Sequence, residues 1–163
     1  MTHGRKPRKP KPVRANAAFL AMHGASKIAQ HEAFKMVAES QAAANLLKKQ
    51  QGDCAVHWRM LADTFNVVEQ MSVMGICSDQ NSRRILVSAQ AALGSLLERY
   101  KETKSWTMTG GEISDIDEGI WLYSVQLKFV SVSEWLAARK KVRDKIAAAL
   151  AGNAGRGVTV HQL

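Results

Sequence analysis

The sequence predicts an all-α protein: an antiparallel helical bundle of four long helices plus a short leading helix, with a disordered basic N-terminal arm. Three observations favour this fold. The only prolines, Pro7, Pro10 and Pro12, lie near the N-terminus, so no later proline breaks a helix. Apolar residues then recur at intervals of three and four. Two capping boxes, a Ser or Thr followed three residues later by Glu, mark helix starts.

Charge is distributed unevenly along the 163 residues, whose formal net charge is +9. Residues 1–14 hold six basic residues and no acid. Residues 15–133 hold eleven basic and twelve acidic residues, and residues 134–163 hold six basic and two acidic ones. We therefore expect a disordered arm (1–14), a single helical domain (15–151) and a flexible tail (152–163). Two basic ends around a neutral middle favour a polyanionic partner, most simply DNA or RNA.

The arm alternates basic residues with proline, which favours extended backbone. A dense run of positive charge gains free energy by releasing counterions from a phosphate backbone. The alternative is a solubilising tail with no specific partner. The candidate nucleic-acid-binding residues in the arm are Arg5, Lys6, Arg8, Lys9, Lys11 and Arg14.

A short leading helix is predicted between Ala15 and Met22, before Gly24. Ser26 is then the predicted N-cap of a long helix that runs to about Gln51. Gly52 follows as the residue that allows the left-handed backbone of a helix end.

Asp53 opens the next predicted helix, which ends at Gly75. Its stripe is Trp58, Leu61, Phe65 and Val68, and its high apolar content predicts a central position. Ser78 or Asp79 caps a third helix to about Lys104. Arg83 and Arg84 lie in its first turns, against the helix dipole, where surface ion pairs or an acidic partner would stabilise them.

The stretch from Arg99 to Trp121 predicts a corner between two helices. Thr109 and Glu112 form a capping box directly before the most regular apolar stripe of the chain. Trp106 precedes the cap and is expected to fold back over that stripe. Together with the preceding helices, this stripe predicts a core made of Trp58, Leu61, Phe65, Val68, Leu93, Leu96, Ile116, Ile120, Tyr123 and Leu127.

A second capping box, Ser131 and Glu134, predicts a break near residues 131–133 and a last helix to about Ala151. Its inward side begins with Trp135. Its solvent side is basic, as an ordinary solvated face or as a phosphate-contacting surface that acts together with the arm. The candidate nucleic-acid-binding residues of this helix are Arg139, Lys140, Lys141, Arg143 and Lys145.

Motifs typical of enzymes are weak or missing in the sequence. No Walker A loop, dinucleotide fingerprint or nucleophile elbow occurs, so we expect no enzymatic activity and no cofactor. The acidic group from Glu112 to Glu118 is better explained by capping and the helix dipole than by catalysis. Cys54 and His57 are one possible metal pair, but a structural zinc site needs four ligands, so no metal is expected. Cys54, near a helix start, could carry some thiolate character.

Cys54 and Cys77 lie near opposite ends of one predicted helix, about 34 Å apart at 1.5 Å per residue. They cannot pair, and free thiols favour an intracellular protein. No run of eighteen apolar residues predicts a membrane span, and no secretory signal is evident. We therefore expect a cytoplasmic location.

Three stretches, Pro10 to Arg14, Leu96 to Tyr100 and Trp106 to Ile113, resemble small basic proteins encoded by bacteriophages and prophages of proteobacteria. The resemblance implies a phage-related accessory protein in the host cytoplasm. It carries over neither an activity nor site residues. Sequence-independent nucleic-acid binding is thus the leading expectation. The alternatives are a module that binds a host or defence protein, through exposed methionines or Trp106, and a structural homo-oligomer.

Overall fold

The computed structural model describes Met22 and residues 24–151, and the predicted arm and tail lie outside these residues. The described chain folds into five long helices: α1 (Gln30–Lys48), α2 (Cys54–Val73), α3 (Gln80–Thr103), α4 (Gly110–Phe129) and α5 (Val132–Leu150). The all-α prediction is therefore confirmed, but the count of four long helices is wrong. Of the predicted leading helix, only Met22 lies among the described residues, and it is helical.

Helices α1 to α4 form a ring in which each helix packs against the next and α4 packs against α1. Ser40 of α1 meets Thr64 of α2, and Gln41 of α1 meets Asp117 near the start of α4. The short connection at residues 49–53 makes α1 and α2 antiparallel, and α1 and α4 are antiparallel because Gln50 after α1 bonds Thr107 before α4. The predicted antiparallel bundle is thus present in α1 to α4, and α5 is a fifth helix whose backbone packs on α2 and whose Trp135 contacts Tyr123 of α4.

Helix α2 occupies the central position predicted from its apolar stripe, because it packs against all four other helices. All ten predicted core residues are buried. The indole N–H of Trp58 donates a hydrogen bond to the Leu93 carbonyl oxygen at 2.9 Å, which ties α2 to α3. Burial of about a dozen large side chains, at roughly 1.5–3 kcal/mol each, makes this core the main source of stability.

Helix starts follow the predicted caps at four of five positions. The side chains of Asp53, Asp79, Thr109 and Ser131 each accept a hydrogen bond from a backbone amide in the first turn. The prediction for Ser26 is wrong, since α1 begins after Ala29, which provides no side-chain cap.

The chain from Ser26 to Ala29 is held outside the helix by a contact with the α4–α5 junction. The Ser26 carbonyl accepts a hydrogen bond from the Val132 amide at 2.9 Å, and Lys27 forms an isolated antiparallel bridge with Ser131. These backbone bonds replace the helical ones that a cap at Ser26 would have started.

Two helix ends use left-handed backbone close to the predicted glycines. Gly75 has a φ of +92° just after α2, as expected for the residue that ends this helix. After α1, both Gln50 and Gly52 adopt positive φ, at 52° and 69°, so the turn begins two residues before the predicted glycine.

Candidate nucleic-acid interface

Helix α5 begins directly after α4 and is positioned by its capping box. The Glu134 carboxylate accepts a hydrogen bond from the Ser131 amide at 2.8 Å, and the Ser131 hydroxyl accepts one from the Glu134 amide at 3.3 Å. The hydrogen bond from the Ser131 amide also lowers the pKa of Glu134. Along the rest of the helix only Ala138 and Val142 are fully buried, so α5 exposes most of its surface.

The predicted basic residues of α5, Arg139 to Lys145, all lie on this exposed surface. Lys140 forms an exposed ion pair with Asp144 at 2.7 Å, and the Arg139 guanidinium lies 4.8 Å from the centre of the Trp135 ring. Lys141, Arg143 and Lys145 form no ion pair with any described residue. Three of the five cations are thus free to contact an anion. The six predicted residues of the arm lie outside the described residues.

The four cations other than Lys140 fall into two rows along α5. Arg139 and Arg143 are four residues apart on one flank of the buried stripe, and Lys141 and Lys145 are four apart on the other. Lys140 lies between the rows, where an exposed i,i+4 pair such as its bond to Asp144 contributes only about 0.3–0.5 kcal/mol. This weak pair would open readily for a phosphate.

A groove of about 380 Å³ runs beside α5 and is enclosed by residues of α1, α2, α4 and α5. Its volume falls within the range of about 300–1,000 Å³ that is typical of small-molecule sites. Apolar and aromatic side chains form part of its wall, and five charged side chains complete it. Its lining residues are Glu32, Lys35, Met36, Glu39, Ser40, Met60, Asp63, Thr64, Val67, Tyr123, Trp135 and Arg139.

Partial burial between the helices raises the pKa of the Asp63 carboxyl in this groove, and the nearby charges of Arg59 and Arg139 oppose that rise. Burial also raises the pKa of Tyr123 on the opposite side. Ser40 and Thr64 each donate to a carbonyl of their own helix and lie 3.2 Å from each other, which joins α1 to α2 within the groove wall. The groove therefore combines a rigid wall with carboxylate acceptors.

No protein-family model, curated protein or solved structure matches this chain. The resemblance to phage-encoded proteins accordingly stays a prediction.

The acidic group at the start of α4 is used for structure, as the sequence predicted. Glu112 is buried and forms a bidentate ion pair with Arg99, with distances of 2.6 and 3.0 Å. The Arg99 hydrogen bonds lower the pKa of Glu112, and the amide of Thr109 contributes further. Asp117 accepts a hydrogen bond from Gln41 at 3.1 Å. Across the described residues, no three His, Cys, Asp or Glu side chains are grouped to hold a metal ion.

The expectation of thiolate character at Cys54 is corrected. The side chain is buried, and this burial, together with the charge of Asp53, raises the pKa of its thiol. Burial also raises the pKa of Cys77, and both cysteines are free. A helix start therefore does not activate Cys54, because desolvation opposes the thiolate more strongly than the first-turn amides favour it.

Two surface features were missed in the sequence. The groove brings together residues from four helices, and its acid Asp63 stands alone in an apolar stretch, so no spacing signals it. Trp121 is 56% exposed on α4 although tryptophan is usually buried. Its position outside the 3–4 stripe of α4 was the available signal. None of the five described helices combines the length and apolarity needed to cross a bilayer.

Proposed function

We propose that this chain is a non-enzymatic accessory protein of phage type that associates with DNA or RNA in the bacterial cytoplasm without strong sequence specificity. The observation that carries the proposal is helix α5. Its backbone packs on α2, and it exposes five basic side chains, of which only Lys140 forms an ion pair with a described residue.

Lysine and arginine on an exposed helix are suited to phosphates rather than base edges. Sequence reading in the major groove uses a set of side chains near a helix N-terminus, often within a helix-turn-helix. The N-terminal turn of α5 instead contains Val132, Ser133 and Glu134, and its cations begin in the second turn. Contacts to the phosphate backbone position a protein on nucleic acid without selecting a sequence.

The proposal includes the arm as a prediction. Its six cations would release counterions from the nucleic acid in addition to those released by α5. Deleting residues 1–14 is expected to reduce retention on immobilised DNA or RNA at low salt. Unchanged retention would remove the arm from the proposal and leave α5 as the interface to be tested by itself.

The test of α5 is a charge reversal with a matched control. The double variant Lys141→Glu and Lys145→Glu is compared with Lys48→Glu and Lys49→Glu, which changes the net charge equally at exposed lysines near the end of α1. Binding to a labelled duplex is measured by fluorescence anisotropy between about 50 and 200 mM salt. The slope of log K against log salt should become shallower by about two for the α5 variant, since each lost phosphate contact contributes roughly 0.9.

The control variant should keep the wild-type slope and most of the affinity. Equal losses in both variants would mean that binding follows net charge alone and that α5 is not the interface. No measurable binding by the wild type at 50 mM salt would reject nucleic-acid association altogether.

A protein-interaction module is the second candidate, because aromatic side chains are exposed away from α5. Phe34 of α1 is 75% exposed and Trp121 of α4 is 56% exposed. Trp106, the contact expected from the sequence, is buried and stacked on Tyr100 with ring centres 4.3 Å apart, so the exposed aromatic residues support this candidate better. A pull-down from host lysate with and without nuclease separates the candidates. A salt-tolerant, nuclease-resistant complex that Trp121→Ala disrupts would favour the module, and light scattering would reveal a homo-oligomer.

A further inference from the structure

The groove beside α5 has a composition that differs from the basic face next to it. Three carboxylates, Glu32, Glu39 and Asp63, line it together with two cations, Lys35 and Arg139. This lining carries one more negative than positive charge, all at exposed positions, and so repels phosphate, whereas the adjoining surface of α5 attracts it. A ligand that fits both must therefore present phosphate outside the groove and an uncharged, hydrogen-bond-donating group within it.

We propose that the groove binds an unpaired nucleobase with an exocyclic amino group, extruded from a single strand whose phosphates lie on α5. The inference rests on the proposed function, and it adds a preference for single strands and for adenine, cytosine or guanine over thymine and uracil.

Planar stacking is the first argument for this occupant. The Arg139 guanidinium carbon lies 4.8 Å from the centre of the Trp135 ring, and both side chains line the groove. Unpaired bases stack on aromatic rings and on arginine guanidinium planes in single-strand recognition. Arg139 also belongs to the exposed row of α5, so one residue joins the groove to the phosphate-binding surface.

Hydrogen-bond polarity is the second argument. An ionised carboxylate only accepts hydrogen bonds, so Asp63 and Glu39 require donors from a ligand. Exocyclic amino groups of adenine, cytosine and guanine supply such donors, whereas thymine and uracil present mainly carbonyl oxygens at the same edge. The hydroxyls of Ser40 and Thr64 donate to carbonyls of their own helices, so their oxygens are further acceptors and not donors for a ligand.

Steric capacity is the third argument. The groove volume of about 380 Å³ leaves room for a single extruded base, whereas the bases of a duplex are held in the stack and do not reach it. Duplex DNA can therefore bind only the outer face of α5, and a single strand can use both surfaces.

The experiment uses the full-length protein and 15-nucleotide labelled probes: oligo-dA, oligo-dC, oligo-dT, oligo-rA and a mixed-sequence duplex. Anisotropy at fixed low salt should show oligo-dA and oligo-dC binding about fivefold more tightly than oligo-dT, the gain expected from one additional hydrogen bond. Oligo-rA compared with oligo-dA distinguishes RNA from DNA as the source of the base.

The variant Trp135→Leu should lower the ratio of oligo-dA to duplex affinity by at least about fivefold. The control Trp121→Leu removes an exposed tryptophan of α4 that does not line the groove, and it should leave every affinity unchanged. Asp63→Asn, at the groove rim, provides a second test that does not depend on Trp135: the preference for oligo-dA over oligo-dT should fall toward one.

The outcomes separate this inference from the proposed function. The groove proposal would be overturned if the protein bound duplex and single strands equally, without base preference, and if neither groove variant had an effect. Nucleic-acid association through α5 would then still stand. Failure of every probe to bind would reject both. If circular dichroism shows that Trp135→Leu is unstable, the ratio of oligo-dA to oligo-dT affinity measured for Asp63→Asn is the deciding test.

Discussion

At the scale of single residues, Gly119 sets how closely three helices approach. A Cβ placed on this residue of α4 would lie 2.7 Å from the Ala89 Cβ of α3 and 2.8 Å from two ring carbons of Phe65 in α2. Both distances are well below van der Waals contact. The absence of a side chain here is thus a packing requirement of the bundle and not a helix defect.

The substitution Gly119→Ala is expected to destabilise the protein by about 1–3 kcal/mol, because overpacking forces neighbouring helices apart. The matched control is Gly94→Ala in α3, where a Cβ would meet nothing within 4 Å. It should stabilise the fold by about 0.5–1 kcal/mol through helix propensity. Urea unfolding followed by circular dichroism measures both, and stabilisation by Gly119→Ala would contradict the packing described.

The Arg99–Glu112 ion pair predicts a pH-dependent contribution to stability. The pKa of Glu112 is held below its ordinary value of 4.5, mainly by the Arg99 hydrogen bonds. A depressed carboxyl pKa contributes stability above about pH 4.5, and that contribution is lost as the pH falls through the lowered value. Glu112→Gln should therefore cost about 2 kcal/mol at pH 7, as expected for hydrogen bonds to a charged group.

The difference between wild type and Glu112→Gln should shrink as the pH falls below 4.5. Thermal unfolding from pH 3 to pH 7 measures this difference. The control Glu118→Gln lies on the exposed side of the same helix and should stay within about 0.5 kcal/mol of wild type at every pH. A constant deficit for Glu112→Gln down to pH 3 would show that the ion pair is not its cause.

Apolar periodicity predicts the burial of some core residues but not of others. Apolar side chains such as Phe65 and Ile120 were assigned to the core by periodicity alone. Gln126 was not, although it is fully buried: its side-chain amide donates to the Val68 and Ile76 carbonyls and to the Ser72 hydroxyl. A polar residue is buried only where partners exist, and these partners belong to α2 and the turn after it, which the periodicity of α4 does not identify.

At the scale of the elements, Trp106 secures the connection between α3 and α4. Its ring is nearly parallel to that of Tyr100 at the end of α3, with an angle of 16°. The sequence predicted that it would fold back over the α4 stripe, and its ring partner is instead the preceding helix. The stretch from Arg99 to Trp121 is therefore a corner between two helices, as predicted, and the stacking of Trp106 on Tyr100 attaches it to α3.

Trp106→Ala should destabilise the protein by about 3–5 kcal/mol, the range for truncating a buried large aromatic residue. Nucleic-acid affinity measured well below the lowered melting temperature should stay at the wild-type value, because Trp106 contributes to neither α5 nor the groove. Trp121→Ala is the control, and its melting temperature should change little since that side chain is largely exposed. Loss of binding with an unchanged melting temperature would make Trp106 a contact residue.

Helix boundaries were predictable where side-chain chemistry fixes them. Thr109 and Ser131 each form the complete capping box that their spacing indicated. Ser26 has the same residue type, but its carbonyl is bonded to Val132. A cap depends on local backbone, and a long-range hydrogen bond at Ser26 overrides the local preference. Sequence patterns cannot show such a competitor, because it lies more than one hundred residues away.

At the scale of the whole molecule, the described residues form a four-helix ring with one added helix. The sequence predicted the apolar stripes of the helices and the central position of α2, but not the packing of α5 on the outside of α2. Its stripe of Trp135, Ala138 and Val142 resembles that of a core helix. Whether a helix with such a stripe takes a place in the ring or packs on its outside depends on the surface of the helix that it contacts, and the sequence does not show that surface.

This architecture predicts unequal protection from hydrogen exchange. Amides of α2 should exchange most slowly, because this helix contacts every other one, and amides of α5 should exchange fastest among the five helices. Hydrogen–deuterium exchange with peptide-level mass spectrometry measures the order. Protection of α5 equal to that of α2 would contradict a peripheral helix and would indicate a further contact, such as a second copy of the chain.

The bridge between Lys27 and Ser131 has a consequence for avidity. It places the segment that follows the basic arm beside the first turn of α5, and a Cβ on Gly24 would lie 3.3 Å from the Ser133 Cβ. The chain that follows the predicted arm and the start of the basic helix α5 are therefore held together at one junction. If α5 and the arm both bind one polyanion, as proposed, binding by one raises the effective concentration of the other, and two weak sites act as one bivalent site.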